Sequence, residues 1–567
     1  MNTNAKKTAC PNRRKLFSVP TISAMKNLRP ALLPLLALLS VPVTAPAAEA
    51  KPPRPNIIVI LVDDMGYSDL SCYGSEIPTP HLDALAKDGL RFTQFYNTSR
   101  CCPSRAAILT GLYSHEAGVG HMVEHTEFPG YLGHLNGSCV TMAQVLHGAG
   151  YFTAMSGKWH VGMTDGAAPA DRGFDRSLAA PAGGFYYGSS QRAELILNGT
   201  KIANDDPRLP KNWYSTDLWT EQGIKFIDEG VAAKKPFFLY LAYNAPHFPL
   251  QAPAADIAKF RHGIYTNGWD FLRAARYERQ KAMGLIDPQW ALSPLPKEVK
   301  PWDTLKAPGQ DRFEEIMSIY AACVWHMDQE VGVLTDALRQ RGLLDNTLIL
   351  FLSDNGGNAE SGPRGRLEGE NPGGPQSTVF CGQSWATLEN TPFRLYKHFE
   401  HEGGIATPLI VHWPAGIAAK GELRTQPGHI VDIMATVADA GGATYPTELN
   451  GHAILPMEGR SLLPAFANEP AAPRDLFWEH EGNAAVREGD WKLVRRSFNG
   501  AWELYNLKSD RTELHNLAAA QPAKGAELLA KWEAWAKRTN VFPAPKHPAD
   551  GKTTADGKNA KAANPED

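Results

Sequence analysis

The strongest pattern along the chain is a series of short, nearly continuous apolar runs. They are Asn56-Ile57-Ile58-Val59-Ile60-Leu61-Val62, Tyr151-Phe152-Thr153-Ala154-Met155, Pro236-Phe237-Phe238-Leu239-Tyr240-Leu241 and Thr347-Leu348-Ile349-Leu350-Phe351-Leu352. A strand covered on both faces reads this way, because neither face needs polar positions. Between the runs the apolar period becomes helical. One helix opens at Thr79-Pro80-His81-Leu82-Asp83-Ala84-Leu85-Ala86, and a long amphipathic one fills 313–340 and ends near Gly342. Strands alternating with helices predict one large α/β domain over 52–471.

From about residue 472 the period shortens. Asp475-Leu476-Phe477-Trp478-Glu479, Ala484-Ala485-Val486-Arg487, Trp491-Lys492-Leu493-Val494-Arg495 and Trp502-Glu503-Leu504-Tyr505 alternate or nearly so, with turns at Gly489-Asp490 and Asn499-Gly500. A helix over 523–539 follows, so 472–545 reads as a small antiparallel sheet with one helix. Residues 546–567, rich in Lys, Ala, Asp, Gly and Pro, read as a disordered tail. Two Pro- or Gly-rich stretches, 252–310 and 358–390, read as irregular insertions of the kind that rim active sites.

Composition changes the picture mainly at the start. Residues 1–47 hold seven Lys or Arg and no Asp or Glu, then the apolar run Ala31 to Leu39 and Ala45-Pro46-Ala47. This is the pattern of a bacterial-type signal peptide, so export to the periplasm or medium is expected. The basic residues Lys26 to Arg29 directly follow Met25, which makes Met25 an alternative start, and Arg13-Arg14 faintly resembles a twin-arginine signal. The remainder is more acidic than the whole chain's net −3 and disfavours nucleic acid as a partner. No later apolar run reaches the roughly 18 residues that span a bilayer. Six of the seven cysteines lie beyond the leader, Cys72, Cys101, Cys102, Cys139, Cys323 and Cys381, too few and too scattered for a disulfide framework.

Candidate chemistry collects where the apolar runs end. The first ends in Asp63-Asp64, the second in Ser156-Gly157-Lys158-Trp159-His160, the third in Asn244-Ala245-Pro246-His247 and the fourth in Ser353-Asp354-Asn355-Gly356-Gly357. Singly, each reads more readily as a helix cap or turn. Together they fall at the carboxyl ends of strands, where open α/β sheets bind ligands. Asp63, Asp64, Asp354 and Asn355 offer only oxygen, a set suited to Ca2+ or Mg2+; the absence of histidine argues against a two-zinc centre. Cys101-Cys102-Pro103-Ser104-Arg105 then turns straight into a helix pattern. Pro103 suits the first helical position, which would place Cys101 near free N–H groups and a helix dipole that favour an anion.

The C-x-P-S-R run, with Val62-Asp63-Asp64-Met65-Gly66-Tyr67, Gly157-Lys158-Trp159-His160, Ala245-Pro246-His247, Ser353-Asp354-Asn355-Gly356-Gly357 and Arg394-Leu395-Tyr396-Lys397-His398-Phe399-Glu400-His401-Glu402-Gly403-Gly404, resembles the type I formylglycine-dependent, arylsulfatase-like sulfatases of the alkaline phosphatase superfamily. The resemblance runs over nearly all of the chain after the leader. It implies a central, mostly parallel mixed sheet flanked by helices, plus the small C-terminal sheet. It also implies that a formylglycine-generating or equivalent enzyme oxidises Cys101 to Cα-formylglycine, whose hydrate attacks sulfur. A diol has an advantage over serine, since its second hydroxyl can ionise and expel sulfate by C–O cleavage. By the same resemblance, Asp63, Asp64, Asp354 and Asn355 bind Ca2+ (or Mg2+) with help from residue 101, and Arg105 steadies the diol. Lys158 and Lys397 contact sulfate, His160 is the base that collapses the sulfated intermediate, and His247 with Lys397 protonates the leaving oxygen.

The expected function is therefore hydrolysis of sulfate monoesters, with a small-molecule or glycan sulfate ester as substrate. The alternatives are a phosphate or phosphonate monoester hydrolase of the same superfamily, a sulfated-glycan sulfatase, and a non-catalytic anion-binding relative. Specificity would come from the 121–139, 181–214 and 252–310 loops.

Overall fold

A computed structural model of the chain describes residues 54–545; the expected signal peptide and tail lie outside them. One sheet dominates. Its strands in chain order are β1 Asn56–Val62, β2 Leu90–Tyr96, β3 Phe152–Lys158, β4 Arg176–Ala180, β5 Leu195–Leu197, β6 Thr200–Ile202, β7 Phe237–Ala242, β8 Thr347–Ser353, β9 Ala406–His412, β10 Glu422–Arg424 and β11 Gly428–His429. Across the sheet they run β10-β2-β9-β8-β1-β7-β3-β4-β5-β6, and β11 also pairs with β2. β1 lies parallel between β7 and β8, β3 and β4 continue parallel beyond β7, and β9 runs antiparallel to β8 and β2. The predicted mixed, mostly parallel α/β sheet is the observed one.

The continuous apolar runs follow from burial on both faces. In β1, Ile58, Ile60 and Val62 enter one apolar cluster while Ile57, Val59 and Leu61 enter the other, all fully buried. Each such side chain stabilises the fold by about 1.5–3 kcal/mol. Helices α1 Pro80–Lys87, α4 Ser215–Ala232, α5 Gly268–Ala282, α6 Ala307–Gln340 and α7 Gly382–Glu389 cover the first face, and α2 Cys101–Thr110, α3 Met142–Gly148 and α8 Asp432–Ala440 cover the second.

Two sequence expectations change. β3 continues past Met155 through Ser156, Gly157 and Lys158, since Lys158 still pairs with Ala180 of β4. Gly157, at φ 123°, lies against the Ala242 carbonyl, where a Cβ would collide. The 358–390 stretch ends in α7, and the 252–310 stretch is not irregular throughout either, because it contains α5. That helix buries Trp269 and Leu272 together with Arg273, Arg276 and Gln280. Arg276 donates to Asp69 Oδ1 at 2.6 Å and to Glu76 Oε1 at 2.7 Å. Paired polar residues on the buried face hid the helical period from an apolar count.

Four antiparallel strands, β12 Asp475–His480, β13 Asn483–Glu488, β14 Trp491–Arg495 and β15 Trp502–Asn506, pair in sequence order, and α9 Pro522–Arg538 packs on them. A buried charge cluster joins them to the large sheet. Lys492 Nζ lies 2.9 Å from Glu402 Oε1 and from Glu513 Oε1, and Arg511 Nε donates to Glu402 Oε2 at 2.7 Å. The six cysteines among the described residues are free thiols. No described helix is long and apolar enough to cross a membrane.

Candidate active site

The site forms beyond the carboxyl ends of β1, β3, β7 and β8, where the main chain turns sharply. Asp64, His160, His398, Leu395 and Ser99 all have positive φ, at 64°, 57°, 81°, 64° and 58°. Non-glycine residues there cost roughly 1–3 kcal/mol each and persist where the surroundings enforce them. Asp63 N–H donates to Ala245 O at 3.1 Å and Asp354 N–H to Val62 O at 3.0 Å, so neighbouring strand ends hold each other in register.

Helix α2 starts at Cys101, after the extended Arg100 (φ −146°), and all ten of its residues are buried. Pro103 is therefore the third helical residue and not the first. It still lies in the first turn, whose N–H groups have no partner within the helix, so its missing N–H costs no helical bond. Ser104 Oγ donates to the Asp354 carbonyl at 2.5 Å, and Arg105 donates to Asp354 Oδ2 at 2.7 Å and to the Lys158 carbonyl at 3.0 Å. These bonds fix the start of α2 against the ends of β8 and β3.

All ten residues singled out in the sequence meet here: Asp63, Asp64, Cys101, Arg105, Lys158, His160, His247, Asp354, Asn355 and Lys397, each at most 5% exposed. Lys158 Nζ donates to Asp63 Oδ2 at 2.8 Å, and Arg105 Nη2 lies 3.5 Å from the same oxygen. Lys397 Nζ is 2.9 Å from Asp64 Oδ1. Asn355 Nδ2 donates to that oxygen at 2.7 Å, while His247 Nε2 stands 3.6 Å from Asp64 Oδ2. Cys101 Sγ lies 3.6 Å from His160 Nδ1; if residue 101 is an aldehyde hydrate, this sulfur marks the position of its oxygens.

Electrostatics follow from burial and proximity. Burial pushes the Asp63 carboxyl up, but Lys158, His247 and Arg105 outweigh it and hold the group below the usual carboxylate range. Burial, and then Lys158, lower the imidazole of His160, leaving it neutral and able to accept a proton. His247 Nδ1–H donates to the Phe248 carbonyl at 2.5 Å, which leaves Nε2 as the nitrogen facing the site. The His247 and Phe248 rings stack at 4.2 Å, and Phe248 and Phe380 at 4.3 Å.

The donor set also fits a hard cation. Asp63 Oδ1 and Asn355 Oδ1 are buried and accept no hydrogen bond. Buried oxygens without donors are unusual, and convergent carboxylate and amide oxygens suit Ca2+ or Mg2+.

Several residues around the site escaped sequence reasoning. Asn358 Nδ2 donates to Asp64 Oδ2 at 2.6 Å, and Glu360 lies 3.7 Å from Lys397 Nζ and 2.9 Å from Arg100 Nη1. Glu389 is buried beside Asp64 in the same small pocket, and neither of its carboxyl oxygens has a hydrogen-bond partner. Asn358 stands just past Ser353-Asp354-Asn355-Gly356-Gly357 and could have been read with it; Glu360 and Glu389 carried no local signal.

The sulfatase family profile matches residues 55–443, and the profile of the N-sulphoglucosamine sulphohydrolase C-terminal region matches 393–533. A protein of Schizosaccharomyces pombe described as an uncharacterized sulfatase is 34% identical over 536 residues, covering 88% of this chain and 96% of its own. The arylsulfatase of Klebsiella aerogenes is 36% identical over 450 residues, covering 76% of this chain and 95% of its own. Among solved structures, Ps i-CgsB in complex with k-i-k-neocarrahexaose superposes with TM-score 0.64 at 27% identity, over 88% of this chain and 96% of that one.

Proposed function

The chain belongs to the sulfatase family, enzymes that hydrolyse sulfate esters, and we propose that it acts on sulfate monoesters in the manner of an arylsulfatase. The observation that carries this reading is the convergence on residue 101. The Sγ of Cys101 lies 3.6 Å from His160 Nδ1, and the same helix turn is tied through Arg105 to the carboxylate cluster that Lys158 and Lys397 approach. Oxidised to the aldehyde and hydrated, residue 101 supplies a hydroxyl nucleophile and a second hydroxyl whose ionisation expels sulfate. Asp63, Asp64, Asp354 and Asn355 are the residues that would hold Ca2+, with Mg2+ the alternative. The cation supplies positive charge to a sulfate oxygen.

The chain's own groups divide the remaining work. Lys158 and Lys397 each present an ammonium to the sulfate oxygens, where charge shifts toward the leaving oxygen as the S–O bond stretches. Arg105 holds the start of α2, and with it residue 101, at a fixed distance from Asp354. His160, kept neutral by burial and Lys158, takes a proton from the side chain of residue 101. His247 Nε2, with Lys397, delivers a proton to the leaving oxygen. The stacked Phe248 and Phe380 beside His247 favour a flat, apolar leaving group, which supports an aryl ester over a sugar. In this scheme 52–471 is the catalytic body and 472–545 the sheet and helix that brace it, and the protein is exported and matured by a formylglycine-generating enzyme.

Initial rates on paired aryl sulfate and aryl phosphate esters, together with sulfated monosaccharides and steroids, test the proposal. Preference for aryl sulfate supports it. A faster phosphate reaction would assign a phosphomonoesterase, and turnover confined to sulfated sugars would assign a glycan sulfatase.

A further inference from the structure

Beside Lys397, on the wall of the site, a second group of ligating side chains converges. His121, His480 and Glu481 bring ligand atoms within 4.8 Å of one another. Glu481 Oε1 lies 2.8 Å from His121 Nε2 and 3.4 Å from His480 Nε2. A four-coordinate zinc ion with bonds of about 2.0–2.1 Å spaces its ligand atoms roughly 3.3 Å apart, close to these separations.

The short ion pair between His121 and Glu481 leaves His480 only the longer contact with the same carboxylate oxygen. His480 is fully buried, and neither of its ring nitrogens makes a hydrogen bond. Its ring stacks on that of His121 at 5.4 Å, and Nε2 is directed at the carboxylate. A buried imidazole that makes no hydrogen bond is costly, and a metal ligand is one role that needs its lone pair.

The outer contacts are those of a metal site as well. His398 Nε2 lies 2.6 Å from Arg100 Nη1 and 3.3 Å from Glu360 Oε1, which leaves its other ring nitrogen, Nδ1, for Glu481. That nitrogen faces Glu481 Oε2 at 3.5 Å, orienting the carboxylate from its far side. Glu481 itself occupies the hairpin turn between β12 and β13, where it and Gly482 both have positive φ (51° and 79°) and Asn or Gly is the usual first residue. The side chains of His121 and Glu481 are 27% and 22% exposed, so an ion can enter from solvent.

We propose that His121, His480 and Glu481 form a second metal site for a borderline divalent cation of the zinc class, with His398 as its positioning residue. Two imidazoles and one carboxylate select Zn2+ or Co2+ over Ca2+, and no ligand is shared with Asp63, Asp64, Asp354 or Asn355. The proposal is independent of the reaction assigned above.

The test titrates the mature, Ca2+-loaded enzyme with Co2+ and follows visible absorption, with Zn2+ as competitor. One equivalent showing the bands of four-coordinate Co2+, displaced by Zn2+, is expected. Glu481→Gln and His121→Ala should abolish the bands, and His398→Ala should weaken binding by about 10–100-fold. His480→Ala should abolish them too, but loss of this buried ring can disturb the hairpin, so the partly exposed His121 is the deciding variant, with circular dichroism reporting the fold. Absence of the bands in the unsubstituted enzyme would overturn the site. So would bands that survive His121→Ala and Glu481→Gln, or bands lost only in Cys102→Ala, which would place the ion on the α2 thiols.

Discussion

Cys101 Sγ lies 3.6 Å from Nδ1 of His160, although 59 residues separate them, because α2 begins where β3 ends and Arg105 ties the two with a bond to the Lys158 carbonyl. This contact places residue 101 beside a neutral base and makes its chemical state decisive. Mass spectra of the active protein should show formylglycine at 101, and Cys101→Ala should abolish turnover without lowering the melting temperature by more than a few degrees. Full activity with an intact thiol at 101 would contradict the mechanism.

The oxygen donors predict a dependence on hard cations. Chelation should lower activity and Ca2+ or Mg2+ should restore it, while Asp63→Ala and Asp354→Ala should lose both bound calcium and rate. Elemental analysis of each variant checks this. Two zinc ions in the carboxylate cluster would place the chain on another branch of the superfamily.

The site was legible because its residues sit at strand ends, and strands buried on both faces announce themselves as apolar runs. Asp63, Lys158, His247 and Asp354 each follow such a run. What the sequence did not expose are features set by tertiary partners. The positive φ of Asp64 and His160 is set by the contacts at the strand ends, and although Asp and His tolerate that conformation, nothing in the local sequence singles out these two positions for it. Glu360 and Glu389 came from a stretch read as irregular, and α5 was hidden because its buried face carries Arg276, satisfied by Asp69 and Glu76, and Arg273, satisfied by Thr387 and Ser293. The start of α2 was displaced by two residues because proline is tolerated anywhere in a first turn, not only at its first position.

The joint between the two sheets should be fragile to charge removal. Lys492 and Arg511 converge on Glu402, all three are buried, and the hydroxyl of Tyr96 donates to Glu402 Oε2 at 3.0 Å. Glu402→Gln leaves two buried cations under-compensated. Breaking a buried pair in this way costs about 3–5 kcal/mol, so chemical denaturation should show a loss of that size. A loss below ~1 kcal/mol would mean that water or Glu513 takes over the charge.

Stability should also fall with rising pH through Glu330. Burial, then the charge of Asp217, pushes its carboxyl up to about 7 in the folded chain from an ordinary value of 4.5. A group raised on folding contributes fully below its unfolded value and loses that contribution as pH climbs through the folded one. Glu330→Gln should therefore change the melting temperature little at pH 4.5 and raise it at pH 8. An equal shift at both values would remove the titration from the explanation.

The last prediction separates the two histidines. His160 faces residue 101 through Nδ1, whereas His247 presents Nε2 from beyond the end of the neighbouring parallel strand β7, next to Asp64 and the stacked Phe248. In the proposed mechanism the first position would serve the step that frees sulfate, and the second would serve departure of the alcohol. Changing His160 to Ala should slow sulfate release more than aryl release, so a burst of aryl product should precede a slow steady state. Changing His247 to Ala should slow the first half of the reaction. The loss should be largest for leaving groups that need a proton and smallest for nitrophenolate, and no burst should appear. Pre-steady-state assays with two leaving groups of different basicity read both effects. A burst in the His247 variant with none in the His160 variant would mean that the two roles are exchanged.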